Sequence, residues 1–281
     1  MYNIGLSTNG KIINEDLFRN YNKSGITHME ITVPYKELNT LDLKTVYDYS
    51  KKYNVMLWSY HLPFMPCAKP EYDMSSLSSD KRKKTIDFFY SLIQKGADVG
   101  ITNFVVHPSC GPVSDEERED RIKVAMETHS LLGDLAAKEG AILCVENLPR
   151  HGLGNHSLEL KRIVESNPRL KVCIDTNHFL KEELSDASSN LKEYIHTLHV
   201  SDYDYTNEKH WLPGEGTVDW QKFINVLKSA DYKGPWLYEV RFEPVKTISR
   251  DRYLTTDDFV RNAKEIFENK KLTVLGTPIE L

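Results

Sequence analysis

Apolar residues in this chain fall into eight short runs, separated by longer segments with helical periodicity. The runs are Tyr2–Leu6, Thr27–Thr32, Val55–Tyr60, Ile101–Val106, Ala141–Val145, Leu170–Ile174, Ile195–Val200 and Trp236–Val240. A run such as Val172-Cys173-Ile174 is almost continuously hydrophobic, the mark of a strand covered on both faces in a parallel sheet flanked by helices. Of the segments between, Ser114–Lys138 is the strongest helix: Glu117 follows Ser114 in a capping-box arrangement, apolar residues recur at Ile122, Ala125, Met126, Leu131, Leu132 and Leu135, and Gly140 stops it. Lys81–Val99 carries Ile86, Phe89, Leu92 and Ile93 along one stripe, and Asp219–Ala230 carries Trp220, Phe223, Ile224 and Leu227. Eight strand–helix units with no interrupting linker predict an α/β fold, a (β/α)8 TIM barrel, with residues 1–281 as a single domain.

Length and composition agree with that fold. The chain has 281 residues, close to the ~250 typical of such a barrel, and 40% hydrophobic residues supply a sizeable core. A net charge of -5 offers no basic field for a polyanion, which disfavours nucleic acid as partner and favours a small substrate. The amino terminus enters a strand pattern at once, without the basic and apolar regions of a signal peptide, and no run is long enough to span a membrane. The four cysteines, Cys67, Cys110, Cys144 and Cys173, show no paired spacing, so a reduced, cytoplasmic protein is expected. Cys144 and Cys173 sit inside apolar runs and read as small buried hydrophobes.

In such a barrel the chemistry is assembled where the strands end. Here the ends and the loops beyond carry Glu30, His61, His107, Glu146, Asp175, His199 and Glu239, and five of the ten histidines (His61, His107, His178, His199 and His210) fall in these places. Carboxylates converging on one barrel mouth are costly unless a cation compensates them. Glu146, Asp175, His199 and Glu239 together form a mixed oxygen and nitrogen set suited to manganese, cobalt, zinc or iron, and no thiolate accompanies them. His61, His107 and His178 are candidates for further ligands or substrate contacts, as is His210 in the glycine-containing loop before Trp220; Glu30 is a candidate to support the ligands by hydrogen bonding. Gly152-Leu-Gly154 lacks the spacing of a phosphate-binding loop, and the Lys81–Lys84 run reads as a solvated helix face.

Taken together, Val145-Glu146-Asn147, Ile174-Asp175-Thr-Asn-His178, Leu198-His199-Val-Ser-Asp202, Pro213-Gly-Glu-Gly216 to Asp219, and Tyr238-Glu239 resemble the xylose isomerase-like barrel superfamily of sugar isomerases and epimerases, which also contains endonuclease IV. The resemblance spans nearly the whole chain. It implies that Glu146, Asp175, His199 and Glu239 bind a catalytic dication (Mn2+, Co2+ or Zn2+), with no organic cofactor. In the epimerase branch it implies that Glu146 and Glu239 exchange a proton with a sugar or sugar phosphate through a metal-stabilised enediolate, with His178 holding substrate hydroxyls.

The alternative implied by the same superfamily is a trinuclear zinc phosphodiester hydrolase. There His61, His107 and Glu146 match one metal's ligands; Glu146, Asp175, His199 and Glu239 match the second; and His178 and His210 match the third, with Glu208 where the nuclease has aspartate. Pro34-Tyr-Lys and Asn147-Leu-Pro-Arg150 depart from the nuclease's DNA-binding and glycine-rich segments. Sugar isomerase or epimerase is therefore the leading expectation, with a small carbohydrate as partner, no membrane, and the oligomeric state left open.

Overall fold

The computed structural model describes residues 1–9, 11–63 and 71–279; Cys67 lies outside them. Eight strands, β1 (Ile4–Ser7), β2 (His28–Thr32), β3 (Met56–His61), β4 (Asn103–Val106), β5 (Ile142–Glu146), β6 (Leu170–Asp175), β7 (Ile195–His199) and β8 (Trp236–Tyr238), pair in parallel in the order β7-β6-β5-β4-β3-β2-β1-β8. A parallel bridge between Val200 and Tyr238 joins β7 to β8, with Val200 N–H donating to Leu237 and Glu239 N–H donating back to Val200. The sheet thus closes into a (β/α)8 barrel. A short antiparallel pair, β9 (Ile248–Arg250) with β10 (Gly276–Pro278), follows the eighth strand and was not anticipated from the sequence pattern.

Each of the eight runs forms a strand, and β1, β3, β5 and β6 extend one residue past their runs, to Ser7, His61, Glu146 and Asp175. Pairing continues through the carboxylates themselves: Glu146 stands level with Cys173, and Asp175 with His199. Because side chains alternate along a strand, Cys144 and Glu146 share one face, as do Cys173 and Asp175, and Thr197 and His199. Cys144 and Cys173 pack with Val105 as buried hydrophobes, and burial pushes both thiols up, away from reactivity. At the amino-terminal end of the strands Trp58 stacks on His196, whose Nε2 pairs with Asn103 Oδ1 at 2.8 Å.

Helices α1 (Glu15–Ser24), α2 (Leu43–Tyr53), α3 (Ser79–Asp98), α4 (Asp115–Lys138), α5 (Ser157–Val164), α6 (Leu184–Leu191), α7 (Trp220–Ser229) and α8 (Thr256–Phe267) surround the barrel. In α4, Ser114 Oγ accepts the Glu117 N–H at 3.3 Å, as the cap signal predicts. The buried stripe differs from expectation: it runs through Ile122, Ala125, His129, Leu132 and Ala136, while Leu131 is 50% exposed. Gly133 explains the close seating of this helix, since a Cβ there would meet Leu170 at 2.8 Å. In α7 all four predicted apolar positions are buried.

Candidate metal centre

Every singled-out acid and imidazole reaches the carboxyl-terminal mouth of the barrel, and three groups form. His61, His107 and Glu146 make one; Glu146, Asp175, His199 and Glu239 make the second; His178, Glu208 and His210 make the third. Within each group the potential ligand atoms lie within 4.8 Å of one another, close enough to share a metal ion.

Glu146 belongs to two groups. One carboxylate oxygen, Oε2, lies 3.0 Å from His61 Nε2 and 3.1 Å from His107 Nε2; the other, Oε1, lies 2.9 Å from His199 Nδ1. Burial by itself would raise this carboxyl, but His199 and His107 outweigh it and hold Glu146 well below the usual carboxylate range.

Main-chain carbonyls fix the histidine tautomers. A carbonyl only accepts, so His61 donates Nδ1–H to Leu62 at 2.8 Å, His178 to Asn147 at 2.7 Å and His210 to Glu239 at 3.2 Å. In each ring the other nitrogen, Nε2, is left facing carboxylates. For His210 this partner is Glu208 Oε1 at 2.9 Å; for His178 it is Asp175 Oδ2 at 3.4 Å and Glu208 Oε1 at 3.7 Å. A lone pair aimed at a carboxylate oxygen is repulsive unless a proton or a cation lies between. In the metal-free protein the proton answers. Burial opposes it, but Asp175 and Glu208 raise His178 to about 10, and Glu208 and Glu239 raise His210 to about 9.

His199 is held from both sides. Glu30, itself receiving Ser59 Oγ at 2.8 Å, faces Nε2 at 3.0 Å, which leaves Nδ1 directed at Glu146 and, at 3.5 Å, Glu239. A carboxylate behind a histidine is the usual support for a metal ligand, and Glu30 occupies that place. Asn147 adds a second brace: its amide donates to Asp175 O at 2.9 Å and accepts Asp175 N–H at 2.8 Å, tying β5 to β6 below the acids.

Asp175 supplies the test of fit. Its Oδ1 accepts Asn177 N–H at 2.7 Å, but Oδ2 is buried without a hydrogen-bond partner, and burial with the charges of Glu239 and Glu146 raises the acid to about 7. With only His178 Nε2 near it, at 3.4 Å and outside hydrogen-bond geometry, this oxygen among imidazoles and acids fits a divalent ion.

Two recesses open onto these groups. One, of about 430 Å³, has His61, Glu146, His210 and Glu239 on its floor and Arg241, Lys246 and Thr247 in its wall. Its neighbour, of about 460 Å³, shares His107, His178 and Glu208 and is walled by Pro112, Leu148, Pro149 and Arg150. Arg150 bridges the loops after β5 and β7, donating at 2.7 Å to both Asn207 and Glu208 Oε2. The roles of Arg150, Lys209, Arg241 and Lys246 were missed in the sequence. Basic residues in loops carry no periodic signal, and only the closed barrel brings them to the recesses.

Residues 18–258 match the family described as xylose isomerase-like TIM barrel. Among curated proteins the chain is similar to a probable endonuclease 4 of Thermoplasma acidophilum, at 26% identity over 66% of this chain and 69% of that protein. It is also similar to a probable endonuclease 4 of Ureaplasma parvum, at 25% identity over 68% and 67%. Solved structures with this fold include a D-tagatose 3-epimerase-like protein (TM-score 0.77, 18% identity, 96% of this chain and 98% of that one). A D-psicose 3-epimerase from Clostridium cellulolyticum H10 shares it too (TM-score 0.72, 18% identity, 86% of each chain). At these identities the solved structures establish the architecture alone.

Proposed function

This chain belongs to the xylose isomerase-like TIM barrel family, and within it we propose a hydrolase of phosphate esters that depends on more than one divalent ion. The observation that carries this reading is the setting of Glu146. Both its oxygens are committed to imidazoles, Oε2 to His61 and His107 and Oε1 to His199. A carboxylate so placed serves as a ligand shared between two groups. With both oxygens engaged by imidazoles, it is poorly placed to take a proton from carbon, which is the role an epimerase of this family would need from it.

The residues that would hold the ions are those of the three groups, with Glu30 and the main-chain carbonyls fixing the ring orientations. When bound, divalent ions in such clusters supply water activation and neutralisation of charge on a leaving oxygen. The protein's own part is positioning. Asn147 and Arg150 hold the acids. The likeness to probable endonuclease 4 sequences supports the same reading.

Sugar epimerisation, the leading expectation from the sequence, keeps one specific observation in its favour. Glu239 is 13% exposed beside a recess of about 430 Å³, a size that suits a monosaccharide. The two readings separate by metal count. Protein purified without chelator should retain about three equivalents of divalent metal and cleave bis(4-nitrophenyl) phosphate, with activity lost to EDTA and restored by zinc or manganese. One equivalent of metal, together with solvent deuterium entering a ketose in wild type but not in Glu239→Gln, would overturn the hydrolase reading and leave the epimerase.

A further inference from the structure

The wall of the metal-facing recess has a composition that the floor does not explain. Between β8 and β9 the chain crosses the mouth and contributes Arg241, Val245, Lys246 and Thr247 to the lining. Arg241 and Lys246 are exposed, and among the described residues neither side chain has a hydrogen-bond or ion-pair partner. In a chain of net charge -5, two cations on one wall that are unpaired among the described residues call for a ligand. Lys209 is one of the paired cations, 3.6 Å from Asp204, and Arg150 is spent on Asn207 and Glu208.

Other donors share the wall. Thr247 Oγ1 accepts the Trp211 indole N–H at 2.9 Å, which leaves its own hydroxyl proton free to donate into the recess. Asn9, after β1, the strand paired with β8, also lines the recess with an amide. Lys11, close by, donates to Ser7 O at 3.1 Å and lies 4.7 Å from the Phe242 ring, with Glu239 and Glu243 as its nearest opposite charges. A guanidinium, an ammonium and a hydroxyl on one wall form a donor set suited to the oxygens of a phosphate monoester.

We propose that Arg241, Lys246 and Thr247 form an anion subsite that takes a phosphate group of the substrate remote from the reacting bond, so that the physiological substrate is a small phosphorylated molecule. The inference rests on the metal-loaded recess of the preceding reading for its floor, but it holds for hydrolysis and epimerisation alike. The floor receives the reacting end and the wall receives the phosphate.

The test compares wild type with the double variant Arg241→Gln/Lys246→Gln, both metal-loaded, by calorimetric titration with D-fructose and D-fructose 6-phosphate, with metal content measured on the same samples. Wild type should bind the phosphorylated probe at least tenfold more tightly than fructose. In the variant that preference should fall about tenfold, with fructose affinity and metal content unchanged. A wild type with no preference for the phosphorylated probe, or a variant that weakens both probes equally, overturns the subsite. Metal content short of three equivalents with the preference intact would instead sink the multinuclear reading and spare the subsite.

Discussion

On the proposed metal-binding reading, Asp175 would tie stability to the bound ion through a single residue. Its Oδ2 is buried without a hydrogen-bond partner, with His178 Nε2 at 3.4 Å, a position that costs on the order of 1–3 kcal/mol. Asp175→Asn relieves that cost in the metal-free protein, since a neutral amide replaces a carboxylate crowded by Glu146 and Glu239. The same change would remove a proposed ligand oxygen from the second group. In EDTA the variant should therefore melt higher than wild type, and in saturating zinc or manganese lower. Paired thermal melts give the sign directly, and an unchanged order of melting temperatures in the two buffers would show that Asp175 is not a ligand.

At the scale of elements, the site depends on loops being held by helices and by the small sheet after β8. Glu215, in the loop that also carries His210, forms a buried pair with Arg250 of β9 at 2.6 Å, so that loop and the wall of the recess are pinned to one support. The start of α8 is fixed by Asp258, whose carboxylate accepts from Thr255 N–H, Thr255 Oγ1, Arg252 and Arg261. Burial opposes its ionisation, but Arg252 and Thr255 outweigh it and hold the acid below the usual range. A group depressed in the folded state contributes stability above its unfolded pKa and loses that contribution as pH falls through the folded value. Asp258→Asn should cost about 1–3 kcal/mol at neutral pH. Chemical denaturation should show this gap steady from about pH 5 to 8 and shrinking below about pH 4, where the carboxyl of the unfolded chain takes up its proton.

For the whole molecule, the barrel mouth is the least self-sufficient region. Four carboxylates and five imidazoles from the ends of six strands, β3 to β8, and the loops after them converge there, and without ions they must be balanced by protons. Ion binding to the folded state alone adds stability by mass action, about 2.7 kcal/mol at a hundredfold excess over Kd. Chelation should consequently lower the melting temperature without changing far-ultraviolet circular dichroism at room temperature. Loss of the helical signal on adding EDTA would show that the scaffold itself requires the metal.

The sequence alone determined the architecture. Eight apolar runs and their intervening periodicity encode strands and helices through local side-chain alternation, which needs no knowledge of partners far along the chain. It also indicated that acids and histidines gather at strand ends, because in a parallel barrel every strand end faces the same mouth. The tertiary structure decided what the sequence left open: which histidine nitrogen turns inward, that Glu30 stands behind His199, and that Leu131 lies outside the stripe of α4. These depend on distances between residues remote in sequence and on carbonyls that orient imidazole rings. The unpaired cations of the wall belong with them, since whether a lysine or arginine is spent on a neighbour is settled only when the barrel closes.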